Sequence, residues 1–360
     1  MGTYTSIPLV QHMRSFTIGQ HTITDDAPSW VCAEIGNNAG GNVDLAKQMI
    51  KAAAESGVSA VKFQKRDNKT LYAPSLANAP YVNDNSFGAT YLEHREAQEF
   101  EFEQYQELKD YAERLGLVFF ATAFDNPSAN FLDSLDVALF KVASGDLCNT
   151  NLLRLLATYS RPVIVSTGGG TIEDVDRAHQ ALGDCPHAFL HCTAEYPLRY
   201  EDANLRAITT LREAFPNTVI GFSSHEDGID LATPAYEKGA RIHEQHFTTS
   251  HTLKGSDNPW SLEPEGMKRL VRALERTRIA QGDGVKRRYE GEEKPLLKME
   301  KSIFPREYYP AGHTLRQGDL EFRSPGDGIP PYKADKLYGR KTRVPLEPDK
   351  SVSTTGVVEP

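Results

Sequence analysis

Eight short apolar runs, most of them followed by a stretch with helical spacing, constrain what this chain can fold into. The runs are Trp30–Ile35, Ala60–Gln64, Leu117–Thr122, Leu139–Ser144, Pro162–Thr167, Ala188–Thr193, Thr218–Ser223 and Ala240–Phe247. Helical spacing covers Val43–Glu55, Ser128–Leu135, Asn151–Thr158, Ile172–Leu182, Leu205–Ala214, Ile229–Lys238 and Pro264–Ile279. Continuous apolar strands that alternate with amphipathic helices call for a parallel sheet covered by helices. Eight repeats closing within about 250 residues predict a (β/α)8 TIM barrel. An open doubly wound sheet is the alternative. No Gly-x-Gly-x-x-Gly follows a strand, and Gly168-Gly-Gly170 alone is a weak phosphate signal.

The barrel is expected to occupy residues 16–281, after a polar start. Residues 282–298 are charged, lack apolar periodicity and read as a linker. Residues 299–360 carry short strand-like runs broken by Gly and Pro, which predicts a small mainly-β module. Its apolar content is low, so it is expected to lean on another surface. One connection is too long for a plain barrel. Residues 66–99 carry Pro74, Pro80, Gly88 and a charged run from His94 to Glu99. A rim loop of this length predicts a lid or a dimer contact.

The net charge of −9 argues against nucleic acid as a general partner. Cys32, Cys148, Cys185 and Cys192 form no Cys-x-x-Cys pair and read as buried reduced thiols. No apolar run approaches the ~20 residues of a membrane helix. No secretory signal is visible, and Gly2 with Ser6 matches the myristoylation pattern only superficially. A cytoplasmic protein is expected.

In such barrels the chemistry sits at the C-terminal ends of the strands. Reading those ends in order gives Glu34 and Asn37, Lys62 and Gln64, Thr122 and Asp125, then Lys141, Ser144 and Asp146. They continue with Ser166, then His191, Thr193 and Tyr196, then Ser223 and His225, then Glu244 and His246. Lys62 and Lys141 lie inside apolar runs, and a buried lysine needs an anionic partner. With the hydroxyls they suit a phosphate or carboxylate. Glu34, flanked by apolar residues, is a candidate general base; pairing with Lys62 alone is the other reading. His225 and His246 suit an open catalytic metal site that substrate oxygens and water complete. His191, His243 and His251 compete for that role.

Several segments together resemble the sialic acid synthase family. They are Ala33-Glu-Ile-Gly-Asn-Asn38, Val61-Lys-Phe-Gln-Lys-Arg66, Phe140-Lys-Val-Ala-Ser-Gly145, Val165-Ser-Thr-Gly168, Leu190-His-Cys-Thr193 with Glu195-Tyr-Pro197, Gly221-Phe-Ser-Ser-His225, His246-Phe-Thr248, Lys254-Gly-Ser-Asp257 and Ser261-Leu-Glu-Pro264. The C-terminal module resembles the antifreeze-like (SAF) domain, with Pro325-Gly-Asp-Gly-Ile329 at its Pro-Gly-x-Gly segment. The resemblance implies condensation of phosphoenolpyruvate with the open-chain aldehyde of an N-acylated hexose, N-acetylmannosamine or a relative, with release of phosphate. It implies that His225 and His246 hold a divalent metal, Mn2+ before Mg2+, Co2+ or Zn2+. Lys62, Thr122, Lys141, Ser144, Ser166 and Ser223 would bind phosphoenolpyruvate, and Glu34 would act on the water or the intermediate. Gln64, Asp146, Tyr196, Asp257 and Arg323 would face the sugar. It also implies a domain-swapped homodimer.

The chain departs from the family pattern in places. Asn38-Ala39-Gly40-Gly41 stands where Asn-His-x-Gly is usual, Asp146 replaces a Glu, Gln245 a Lys and Asn258 a His. The arginine before Pro-Gly is Ser324 here, with Arg323 one position away. Most of these changes fall on the sugar side, which predicts an acceptor other than N-acetylmannosamine. The alternatives are a Schiff-base aldolase using Lys141 or Lys62, and a non-catalytic sugar-binding protein.

Overall fold

The computed structural model describes residues 14–356; the Gly2 and Ser6 pattern lies outside them. The chain divides after Gly282 into two units. In the first, eight parallel strands close a barrel: β3 (Trp30–Gly36), β4 (Ala60–Lys65), β5 (Val118–Ala123), β6 (Phe140–Val142), β7 (Val163–Ser166), β8 (His187–Cys192), β9 (Val219–Ser224) and β10 (Ile242–His246). β10 pairs with β3 to complete the ring. The predicted barrel and its eight strands are present, with ends displaced by a residue or two.

Side chains alternate across each strand. Val31, Ala33, Ile35, Val61, Phe63, Phe119 and Ala121 point outward and pack under the helices. Trp30, Cys32, Ala60, Phe120, Ile164, Leu190, Val219 and Ile242 share the opposite face and fill the barrel's lower interior. They are joined there by Phe16, Ile18 and Ile23 from an antiparallel hairpin, β1 (Ser15–Ile18) and β2 (His21–Thr24). From its sequence this segment reads as a polar start. Its strands are four residues long and alternate with polar residues, so no apolar run marks them. Arg212 ties the hairpin to the helices, bonding the Asp25 carboxylate at 2.7 Å.

The segment 66–99 is built of three short helices, Asn68–Leu71, Pro74–Ala77 and Tyr91–Glu96. Tyr72 and Tyr81 pack edge-on against Tyr91, with ring centroids 5.0 and 5.5 Å away. The β3 loop presses on this segment: Gly41 has φ +75°, and a Cβ there would lie 2.3 Å from the Ala97 carbonyl oxygen. A glycine is therefore required within the departing Asn38–Gly41 stretch.

In the second unit, β11 (Ser302–Pro305) pairs antiparallel with β12 (Leu320–Arg323). The unit has its own core, including Ile303, Leu315, Leu320, Leu337, Leu346 and Val352. The stretch read as a linker is partly regular, with a 3-10 turn at Glu290–Glu292 and a helix over Glu293–Met299. Its charged exposed faces hid that helix from the periodicity. Among the described residues no helix is long and apolar enough to cross a membrane. The cysteine reading needs correction: Cys32 and Cys192 are buried, but Cys185 is only partly so and Cys148 is exposed.

Candidate active site

Continuing each inward face toward the strand's C-terminal end exchanges apolar side chains for polar ones. Glu34, Lys62, Thr122, Lys141, Ser166, Ser223, Glu244 and His246 follow the apolar layer on the same faces, and all are buried. Strand register sets them side by side, pairing Glu34 with Lys62, Thr122 with Lys141, Ser223 with Glu244 and His246 with Glu34. They line a pocket of about 360 Å³.

Lys62 Nζ lies 2.7 Å from Glu34 Oε2 and 3.7 Å from Glu244 Oε1, and donates to Thr122 Oγ1 at 3.0 Å. Burial works to lower the Lys62 amine. The Glu244 and Glu34 carboxylates outweigh it and hold the amine above its ordinary value. Burial raises the Glu34 carboxyl against the pull of Lys62. Glu244 goes the other way: burial would raise it, but Lys141 and Lys62 keep it ionised. Lys141 donates to Ser166 Oγ at 2.6 Å and to the Val142 carbonyl at 2.9 Å, and burial lowers its amine. Ser144 Oγ accepts from Gly168 N at 3.0 Å. A Cβ on Gly168 would lie 2.7 Å from that hydroxyl, so this glycine serves close approach.

The His225 and His246 rings stand 5.6 Å apart, centroid to centroid. His225 Nδ1 lies 2.8 Å from the Thr193 carbonyl oxygen, which can only accept. The proton is therefore on Nδ1 and Nε2 keeps its lone pair. Burial, then the neighbouring His246, pushes the His225 pKa down to about 4, so the ring is neutral at pH 7. His246 Nδ1 is buried without a hydrogen-bond partner, 4.0 Å from Asp257 Oδ2. Two neutral imidazoles, one with an orphaned nitrogen, fit a divalent ion whose other ligands are substrate oxygens and water. Among the described residues no three His, Cys, Asp or Glu side chains cluster around one point. Cys192 also lines the pocket, but burial pushes its thiol up to about 11, which leaves it neutral.

The competing histidines are accounted for by the fold. His191 Nε2 bonds the Ala203 carbonyl, His243 bonds Ser29 and the Ala232 carbonyl, and His251 bonds the Ser261 carbonyl. Of the residues assigned to the sugar, Gln64, Tyr196 and Asp257 line the pocket. Gln64 Nε2 donates to Glu34 Oε1 at 2.7 Å, and the Tyr196 ring lies 4.0 Å from that of His225. Asp146 does not line it. It sits at the end of the 3-10 turn Ser144–Asp146, where its carboxylate accepts from Asn149. Arg323 lies on β12 in the C-terminal unit, 3.1 Å from Glu321 Oε1. Glu244 received no role from sequence, although its place two residues before His246 puts it on the same face. Arg66 and Arg95 also line the pocket and were passed over. Arg66 directly follows β4, which is a usable signal; Arg95 comes from the long insertion, which is not.

Comparison with known proteins identifies the family. The model of the NeuB family matches residues 49–286, and that of the SAF domain matches residues 300–358. N-acetylneuraminate-9-phosphate synthase of Mus musculus is 37% identical over 333 residues, 92% of this chain and 93% of that protein. N,N'-diacetyllegionaminic acid synthase of Campylobacter jejuni is 31% identical over 322 residues, 86% and 94% of the two lengths. The crystal structure of an N-acetylneuraminic acid (sialic acid) synthetase from Leptospira borgpetersenii superposes with a TM-score of 0.70 at 32% identity, covering 79% of this chain and 96% of that one. The barrel, its layer of charged and hydroxyl side chains and these matches lead to one assignment: the chain belongs to the NeuB family and ends in a SAF domain.

Proposed function

We propose that this chain condenses phosphoenolpyruvate with the aldehyde of an N-acylated hexose to give a nonulosonic acid and inorganic phosphate. The observation that carries the reading is the buried layer where Lys62 and Lys141 meet Thr122, Ser166 and Ser223 beside two neutral histidines. Two ammonium groups and three hydroxyls suit a small polyanion, and burial strengthens each contact. Ser144 completes that set.

In this reading the lysines and hydroxyls hold phosphoenolpyruvate so that its carbon three faces the aldehyde carbon. A carbon–carbon bond forms, the aldehyde oxygen becomes a hydroxyl, and positive charge develops at carbon two. Glu34, its carboxyl raised by burial, takes a proton from the water that adds there. The hydroxyl so formed loses its proton and the centre collapses to a ketone as the C–O bond to phosphate breaks; of the two water protons, one ends on the former aldehyde oxygen and the other on phosphate. Lys62 and Lys141 balance the charge on the departing phosphate. Gln64 fixes the Glu34 carboxylate, and Tyr196 and Asp257 border the acceptor. His225 and His246 would hold a divalent ion, Mn2+ first, which supplies Lewis-acid polarisation of the acceptor carbonyl.

The test is phosphate release from phosphoenolpyruvate with a panel of N-acylated hexoses and their 6-phosphates, with Mn2+ and then with chelator. Metal-dependent release with one acceptor is expected; release that survives chelation would remove the metal from the reading. One observation favours a second reading. Lys141 is lowered by burial, as a Schiff-base nucleophile would be. Borohydride trapping of a keto-acid on Lys141, without phosphoenolpyruvate, would select that aldolase. A homodimer and a cytoplasmic location belong to the synthase reading, and light scattering in solution checks the first.

A further inference from the structure

The deep lysines are not the only cations in the pocket. Arg66 is 7% exposed, and its Nη1 is buried without a hydrogen-bond partner. Its guanidinium lies 3.8 Å over the Phe124 ring, and Nη2 donates to Gln64 Oε1 at 2.6 Å. Gln64 in turn donates to Glu34, so the guanidinium is two hydrogen bonds removed from the carboxylate at the reacting end. Arg95 reaches the same pocket from the helix Tyr91–Glu96, and its Nε donates to the Tyr91 hydroxyl at 3.1 Å.

Among the described residues neither guanidinium is in an ion pair. The Glu99 carboxylate, whose charge acts on Arg66, is taken by Lys65 at 2.9 Å. Asp257 and Asp146 are felt by Arg95 and Arg66 respectively, but neither reaches ion-pair distance. A buried guanidinium with an orphaned donor is costly unless an anion completes it. Two guanidiniums that repel one another at one wall make the demand larger. Planar forks of this kind suit a phosphate monoester, which accepts bidentate bonds from both.

We propose that Arg66 and Arg95 form a second anion subsite, which takes a phosphate on the acceptor sugar at the end remote from its aldehyde. The inference rests on the synthase reading above. Phosphoenolpyruvate is the other source of phosphate in this pocket, so the test must separate the two.

Phosphate release is measured with N-acylated hexoses and with their 6-phosphates. The wild type is expected to favour the phosphorylated member of each pair by about a hundredfold in kcat/KM. Arg95→Gln and Arg66→Gln are each expected to raise KM for the phosphorylated acceptor about tenfold to a hundredfold, the loss of one charge-assisted contact. Arg95 is the safer variant because it is only partly buried, and Arg95→Lys should recover part of the loss. Equal use of a sugar and its 6-phosphate would overturn the subsite. So would a loss confined to KM for phosphoenolpyruvate, which would place the arginines on that substrate. If no acceptor releases phosphate, the synthase reading falls. Calorimetry with N-acetylmannosamine 6-phosphate then decides the subsite: weaker binding to Arg95→Gln than to wild type upholds it, and equal or absent binding overturns it.

Discussion

The two ends of the barrel interior are made by the same eight strands on the same alternating faces, yet they are opposite in chemistry. The lower end holds Trp30, Ala60, Phe120, Ile164, Val219 and Ile242, and the hairpin adds Phe16, Ile18 and Ile23. Two or four residues further along, the same faces carry Glu34, Lys62, Thr122, Lys141, Ser166, Ser223 and Glu244, no less buried. Burying charge destabilises a fold, whereas burying apolar area stabilises it. The difference teaches that the reactive layer is held by the packed layer beneath it. Each should therefore fail in its own way when altered.

The largest effect is expected at the charged end. Lys141→Met keeps the side-chain length and removes the charge beside Ser166. Turnover should fall by about a thousandfold or more. Steady-state phosphate release beside a thermal melt checks this, and a folded variant active to within tenfold of wild type would mean the charged layer is structural. The apolar end should show the reverse. Phe16→Ala truncates a ring that is 3% exposed in the plug. It should cost about 3–5 kcal/mol of stability while kcat moves less than about twofold. Denaturant unfolding read against kcat tests this, and an unchanged midpoint would remove the hairpin from the core.

A smaller effect sharpens the contrast outside the barrel lumen. His243 points outward from β10, between Ser29 and the Ala232 carbonyl, and burial holds its pKa down to about 3 from an ordinary 6.5. The unfolded chain takes up this proton first as pH falls. Its contribution to stability is therefore full above 6.5 and is lost from there toward 3, by up to about 1.4 kcal/mol per pH unit. Urea melts at pH 7 and pH 5 should differ by about 2 kcal/mol on this account. His243→Gln should narrow that gap; an unchanged gap would assign it to other groups.

The strands were legible because both faces of a covered parallel strand are apolar, which leaves uninterrupted runs. The site was legible for the complementary reason: Lys62 between Val61 and Phe63, or Lys141 between Phe140 and Val142, breaks such a run where no surface explanation serves. Several things escaped. The hairpin 15–24 has only three inward apolar residues, too few for any pattern. Glu244 sat in plain view, but its ion pair with Lys62 depends on strand closure, which joins residues almost two hundred apart in the chain. Arg95 entered the pocket from an insertion whose path is set by Tyr72, Tyr81 and Tyr91 packing on one another. Asp146 differs in the other direction: it stands at a strand end in the sequence, yet its carboxylate accepts from Asn149 and it does not line the pocket.

The plug at the lower end also governs traffic. Phe16, Ile18 and Ile23 leave the barrel lumen a blind well with its floor sealed by packed side chains. A molecule that occupies the floor must arrive before whatever rests above it, and it cannot depart past a neighbour still in place. Under the synthase reading, phosphoenolpyruvate therefore enters first and the sugar second. An inert sugar analogue blocks the well when it binds first and traps phosphoenolpyruvate when it binds second, so its inhibition should be mixed toward phosphoenolpyruvate, a kinetic order written into the chain by a ten-residue hairpin at the far end from the chemistry.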